Sequence, residues 1–264
     1  MRRILTAAIL VPVVLAVVIW APLWLFASLI LLVALMALRE FYDLAQAQGC
    51  EPYRWLGLTL AAVVVLWCEL PWRSVDSRVF TAILAACLLA VLVRALTLPE
   101  RLGESVGDAG ASLLGVVYLG LLMGLTGAIR LWGSGWFLFL LAVVWLGDTA
   151  ALYVGKAWGR HAMAPHVSPH KTWEGAAGSL AAAAAVGAGF GHWFVGHPLL
   201  YAALAGAINV AAQCGDLVES VFKRGAHVKD SGGLLPGHGG MLDRIDAMLF
   251  AAPVLWYYLA YFRT

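Results

Sequence analysis

From Ile4 to Leu38 the chain carries no charged side chain. As one helix that stretch would run roughly 50 Å at ~1.5 Å per residue, against a hydrocarbon core of about 30 Å. It must fold back, most simply near Trp20 to Pro22, which makes two short spans, 4–20 and 22–38. The same alternation of long apolar runs and short polar ones predicts seven more, at 56–71, 79–97, 112–128, 135–155, 174–195, 199–221 and 242–262. The third and fifth are short enough to be re-entrant. The expected fold class is all-α: a polytopic integral membrane protein of about nine transmembrane helices. It forms a single membrane domain over 1–264, with N-terminal helices in 1–130 and the helices and loops that carry the chemistry in 135–262. No internal repeat is visible. The alanine run at 181–185, with Gly187 and Gly191 at GxxxG spacing, marks close helix packing.

Composition agrees with lipid as the solvent. Of 264 residues, 62% are hydrophobic and 12% charged, with a mean hydropathy of +0.86, whereas soluble domains carry about 25% charged residues. The N-terminus, MRRILTAAILVPVVLAVVIW, resembles a secretory signal. Its apolar run is too long, lacks a small-residue cleavage site and leads straight into another. Cys50, Cys68, Cys87 and Cys214 are scattered without metal-ligand spacing and read as small apolar residues, not disulfides. Lys and Arg set the orientation. With the N-terminus in the cytoplasm, nine spans leave thirteen cations inside and four outside (Arg73, Arg78, Arg130, Arg263). Loops 156–174 and 222–244 are then cytoplasmic, on the side of phosphorylated metabolites. The net charge of +2 identifies no partner, and no nucleic acid is expected as one.

Polar residues inside the spans change this picture. In AINVAAQCGDLVESVFKR, Asn209, Gln213, Asp216, Ser220 and Lys223 are spaced by 4, 3, 4 and 3, which keeps them on one helical face with Glu219 beside them. A carboxylate facing lipid costs several kcal/mol, so this face must meet protein, water or a metal. An interhelical hydrogen-bond seam with a Glu219–Lys223 pair would use most of the stripe, but it has no need of Asp216. WLGDTAALYVGK puts Asp148 and Lys156 on about the same face, where Asp148 can also pair with an arginine of a neighbouring helix. Asp243 and Asp246, at i and i+3, can cap the last helix. Capping explains each carboxylate singly. It does not explain three helices that bring carboxylates to one cytoplasmic side.

The segment VKDSGGLLPGHGGMLDRID, 228–246, adds two cations, three carboxylates, a histidine and five glycines. Convergent carboxylates are hard oxygen donors suited to Mg²⁺. Glycines let backbone N–H groups approach phosphate oxygens, and Lys223, Arg224, Lys229 and Arg244 can hold and neutralise them. These are the needs of a metal-assisted phosphoryl or nucleotidyl transfer, with His238 as a donor to phosphate or pyrophosphate. A flexible connector would also be glycine-rich, but without charges at both ends. No GxxxxGK[ST] is present, which excludes a P-loop protein. His161, His166 and His170 lack HExxH spacing and a fourth ligand for zinc, and they suit a basic loop that meets phosphates or headgroups.

SVFKRGAHVKDSGGLLPGHGGMLDRID, Ser220 to Asp246, resembles the signature of the phosphatidate cytidylyltransferases, or CDP-diacylglycerol synthases. That pattern is S-x-apolar-K-R, four residues, K-D, then P-x-H-G-G-apolar-x-D-R-apolar-D, and every fixed position is met. QCGDLVES and DTAALYVGKAWGRHAMAPHVSPHKTWEG, 148–175, are similar to the family too, so the resemblance is strong over 148–246 and architectural before it. His170 stands where the family often has Lys or Gly, and Leu152 where an aromatic is expected, with Tyr153 next to it. Tyr153, Trp158 and Trp173 suit interfacial anchoring better than base stacking.

The resemblance implies that CTP and phosphatidic acid give CDP-diacylglycerol and pyrophosphate with Mg²⁺, and it admits a monovalent ion such as K⁺ beside it. It implies a homodimer in a bacterial inner membrane, with a polar cavity facing the cytoplasm. Asp216 and Asp243 are then the expected metal ligands, with Asp246 in support and Asp148 as a ligand or an orienting group. Lys223, Arg224, Lys229, Asp230, His238 and Arg244 are the expected catalytic set. Ser168, Lys171, Ser220, Gly239 and Gly240 are expected to bind substrate. The nearest alternative is a CTP-using lipid or polyprenol kinase that moves the γ-phosphate. A transporter would show paired repeats and charges near midplane, and neither is seen.

Overall fold

The computed structural model of the protein describes residues 2–70, 77–233 and 239–263, with side chains at 10–70, 78–233 and 239–263. Among them are nine helices: α1 Arg2–Trp20, α2 Leu23–Ala47, α3 Arg54–Cys68, α4 Ser77–Ala95, α5 Ser105–Trp132, α6 Ser134–Trp158, α7 Trp173–Val195, α8 Pro198–Gly225 and α9 Leu242–Tyr261. Helix α5 passes through a π turn at Val116–Leu121, and α7 ends in another at Gly191–Val195. Six helices (α2 and α4 to α8) are long and apolar enough to cross a membrane. Leu10–Trp20 and α3 are shorter apolar helices. A break at Ala21 and Pro22 separates α1 from α2, and the carbonyl of Pro22 starts α2 by accepting from Leu25 and Phe26 N–H.

Two helices outrun their apolar stretches. Helix α2 continues nine residues past Leu38, through Arg39, Glu40 and Asp43: Arg39 is exposed, Asp43 pairs with Arg54 at 2.6 Å, and Glu40 is buried among hydrogen-bond donors. Helix α5 begins at Ser105, ahead of the expected 112, and buries Asp108. That carboxylate takes a hydrogen bond from Arg101 Nε at 2.8 Å and one from Glu51 N–H at 2.6 Å. A matched charge is no barrier to a buried helix, and apolar content alone misses it.

The chain divides into two compact units, Met1–Leu131 with Phe222–Arg244, and Trp132–Val221 with Ile245–Thr264. In the first, Tyr42 of α2 is clasped by glycines of α3 and α5. A Cβ at Gly57 would meet Tyr42 Cζ at 2.7 Å, and one at Gly115 would meet Tyr42 Cε1 at 2.5 Å and Leu38 Cδ1 at 2.7 Å. The hydroxyl donates to the Ser112 carbonyl at 2.9 Å, while Ser112 Oγ accepts from Tyr53 N–H at 2.7 Å.

In the second unit, small residues likewise set the helix spacing. Gly175 of α7 faces Ala151 and Gly155 of α6, and Gly187 faces Tyr201 and Ala205 of α8. The close packing expected of Gly187 and Gly191 is present. An antiparallel hairpin, β1 Ala162–Ala164 with β2 Ser168–Thr172, connects α6 to α7 and is the one departure from an all-helical chain among the described residues. Its turn closes through Val167 N–H to the Ala164 carbonyl at 3.1 Å, with Pro165 at the position where its fixed φ favours a turn.

Tyr42→Phe should cost about 1 kcal/mol, the net worth of one hydrogen bond. Gly57→Ala and Gly115→Ala should each cost roughly 1–3 kcal/mol by overpacking. Thermal unfolding in detergent should show Tyr42→Phe partly relieving Gly57→Ala, whose added methyl abuts the hydroxyl end of the ring. Gly115→Ala should not be relieved.

Candidate active site

The polar face of α8 divides by depth. At its inner part Asn209 Nδ2 donates to Ser179 Oγ of α7 at 2.9 Å, and Gln213 Nε2 donates to Asn209 Oδ1 at 2.7 Å. This is the interhelical seam that the spacing allowed, and Gly147 of α6 leaves room for it. One turn further, the chemistry changes. Asp216, Glu219 and Asp246 each bring a carboxylate oxygen within 4.8 Å of the others. Glu219 is fully buried, Asp216 partly so. Helix α9 reaches this point because Gly215 has no side chain: a Cβ there would stand 2.5 Å from the Asp246 carbonyl and 3.1 Å from Phe250. Three hard oxygen donors so close repel one another unless a cation lies among them, so the group fits a divalent ion such as Mg²⁺. Among the described residues it is the one cluster of this kind, and no histidine belongs to it.

Beside the cluster lies a cavity of about 380 Å³ whose wall includes Asp148, His170, Lys171, Gln213 and Asp216. Lys171 Nζ pairs with Asp216 at 2.7 Å. The motif around Lys171 is built to present it. Thr172 caps α7 by accepting from Gly175 N–H at 3.1 Å, and Glu174 ties back the segment before the hairpin through Arg160 N–H at 3.1 Å and His161 Nδ1 at 2.5 Å. His161 is thereby engaged with a carboxylate. Ser168 opens β2, partly buried, and Ser220 is buried in α8. Tyr153, Trp158 and Trp173 are each more than half exposed.

Residues 222–244 of the signature belong to the first unit and are organised by two carboxylates. Asp243 accepts from Lys223 Nζ at 2.6 Å, Ser231 N–H and Oγ both at 2.9 Å, and Gly240 N–H at 2.8 Å. The sequence puts Asp243 among the expected metal ligands and Glu219 beside the polar face of α8; here Asp243 faces the glycine segment, and Glu219 joins Asp216 and Asp246. The second organiser, Glu40, was not singled out from the sequence. It accepts from Ser231 Oγ at 3.0 Å and from Met241 and Leu242 N–H, both at 2.8 Å. Its one signal was position: with Ala37 and Leu44 it lies on the buried stripe of α2.

Gly240 N–H is thus engaged by protein, and Gly239 adopts φ +77° with Asp243 Oδ2 2.6 Å from where a Cβ would be. Arg224, Lys229, Asp230 and Arg244 are exposed. Helix α8 ends in a Schellman motif with His227 at φ +57°, Val228 N–H reaching the Lys223 carbonyl at 2.9 Å. His238, and Arg73 among the expected outside cations, lie outside the described residues.

A family model described as the cytidylyltransferase family matches residues 1–262. The chain is 30% identical over 268 residues to the phosphatidate cytidylyltransferase of Synechocystis sp., covering 89% of this chain and 88% of that protein. It is 32% identical over 250 residues to that of Staphylococcus aureus, covering 92% and 94%. It is 47% identical over 131 residues to that of Brucella suis, covering 47% and 46%.

Mg²⁺ should raise the thermal midpoint of the detergent-solubilised protein; at a hundredfold excess over Kd the gain is about 2.7 kcal/mol. Asp216→Asn and Asp246→Asn should each abolish the gain. Gly215→Ala should lower the midpoint without added ion and shrink the response to it.

Proposed function

We propose, from the premise that the chain belongs to the cytidylyltransferase family, that it transfers the cytidylyl group of CTP to phosphatidic acid. An oxygen of the lipid phosphate attacks the α-phosphorus of CTP, the bond to the β-phosphate breaks, and pyrophosphate leaves with CDP-diacylglycerol as product. The observation that carries this reading is the carboxylate cluster of Asp216, Glu219 and Asp246 beside a cavity walled by Asp148 and Lys171. A phosphate monoester is already anionic at neutral pH, so the reaction needs little help from a general base. Its obstacle is repulsion between two polyanions.

We assign Mg²⁺ to Asp216, Glu219 and Asp246, with Asp148 orienting Lys171. When bound, the ion neutralises phosphate charge and stabilises the departing pyrophosphate. Lys171 balances Asp216 and has further N–H donors for a phosphate oxygen. Lys223, Arg224, Lys229 and Arg244 supply positive charge for the triphosphate and the lipid phosphate, while Asp243 orients Lys223 by its 2.6 Å contact. Ser168, Ser220, Asp230, Gly239, Gly240 and His238 complete the proposed set, and a K⁺ ion beside Mg²⁺ belongs to the same reading. Nine spans, a cytoplasmic N-terminus, a site open to the cytoplasm, a bacterial inner-membrane location and a homodimer complete it. Thirteen cations against four support the orientation.

Detergent-solubilised protein given phosphatidic acid, Mg²⁺ and CTP labelled at the α- or the γ-phosphate is expected to pass label to lipid from the α position alone and to release pyrophosphate. Label from the γ position alone would make the protein a lipid kinase. Asp246→Asn should lower the α-label rate by at least about a hundredfold, as loss of a metal ligand does, while Arg54→Ala leaves it near wild type.

A further inference from the structure

We infer that Glu40 of α2 is a positioning residue for this reaction: it ties together the two ends of the glycine segment and fixes the first turn of α9, without touching substrate. The inference rests on the function proposed above. Ser231 stands at one end of the segment, Gly240 to Leu242 at the other. Glu40 Oε2 accepts from Ser231 Oγ at 3.0 Å and from Leu242 N–H at 2.8 Å, while Oε1 accepts from Met241 N–H at 2.8 Å. One carboxylate therefore spans the neck of the segment.

Two glycines record how close it comes. A Cβ at Gly232 would stand 2.7 Å from Glu40 Oε1, and one at Gly240 would collide with Glu40 Oε2 and Ser231 Oγ. A side chain at either position would push the Glu40 carboxylate from its place, and at Gly240 the Ser231 hydroxyl as well. Glu40 is also 9% exposed, and a carboxylate so far removed from water is stable only with donors of this kind. The N–H groups it takes are among those a helix start leaves without intrahelical partners, where negative charge is favoured. Asp243 and Arg244 lie in that turn. Asp243 shares the Ser231 hydroxyl with Glu40, so displacing Glu40 also displaces the group that orients Lys223.

The amide form tests this, since Glu40→Gln keeps the shape but sets an NH₂ group against at least one N–H or O–H donor. Amide hydrogen exchange over residues 239–243, without substrate, is expected to quicken about tenfold or more, the factor for loss of one charge-assisted hydrogen bond. The kcat/KM for CTP should fall by a similar factor or more, and Ser231→Ala should cost less in the Glu40→Gln background than in wild type. Asp43→Asn, one turn further along α2, should leave exchange and turnover unchanged. Unchanged exchange in Glu40→Gln would remove the tie. Faster exchange with wild-type kcat/KM would show that the segment's position does not matter to turnover, and would overturn the inference. Wild-type protein that forms no CDP-lipid would overturn the reaction and the role in it, while the exchange result would still decide whether the tie exists. If Glu40→Gln does not fold, Ser231→Ala alone should give the same two changes in smaller degree, and their absence would count equally against the inference.

Discussion

Taking a carboxylate out of water is the most expensive thing this chain does, and the way each one is met orders the structure around it. In an apolar molecule a buried carboxylate needs N–H or O–H donors, a basic partner or a metal ion. Asp108 has Arg101 and the Glu51 N–H. Glu40 and Asp243 have the ends of the glycine segment. Asp216 has Lys171, and it stands with Glu219 and Asp246 in a group of three carboxylates close enough to share a cation. The first two arrangements are held by donors of the protein itself and keep structure in place. The third is the one that the proposed reaction uses.

What the sequence made legible follows from the range of the interactions involved. Apolar runs mark the helices because lipid burial is a local property of a segment. The face shared by Asn209, Gln213 and Asp216 was readable for the same reason, since helical period is local. Its division into a seam and an acid group was not, because that depends on Ser179 and Lys171, which other elements supply. Glu40 was hidden most completely: the groups it binds lie 191 to 202 residues further along the chain. Asp243 could be read from the sequence as a helix cap as well as a metal ligand, and it reaches back three positions to the N–H of Gly240, as in a capping box.

The segment from Ser168 to Gly175 shows how closely spaced motif residues can have separate duties. Thr172 starts a helix, Glu174 secures the chain that enters the hairpin, and Gly175 admits a neighbouring helix at Ala151. Only Lys171 turns to the cavity with its charge, and the others decide where it stands. A motif of this kind is legible as a signature well before its members can be told apart.

The glycine segment resembles a phosphate-binding loop in composition, but four of its N–H groups, at Ser231, Gly240, Met241 and Leu242, are already given to the protein's own carboxylates. Any anion met there by the exposed Arg224, Lys229 and Arg244 is held by charges on long side chains, not by those fixed backbone dipoles. Such attraction is screened over about 8–10 Å at ordinary ionic strength. That part of the grip on a polyanion weakens as the salt around the protein rises, and those four N–H groups add no geometric selectivity to it.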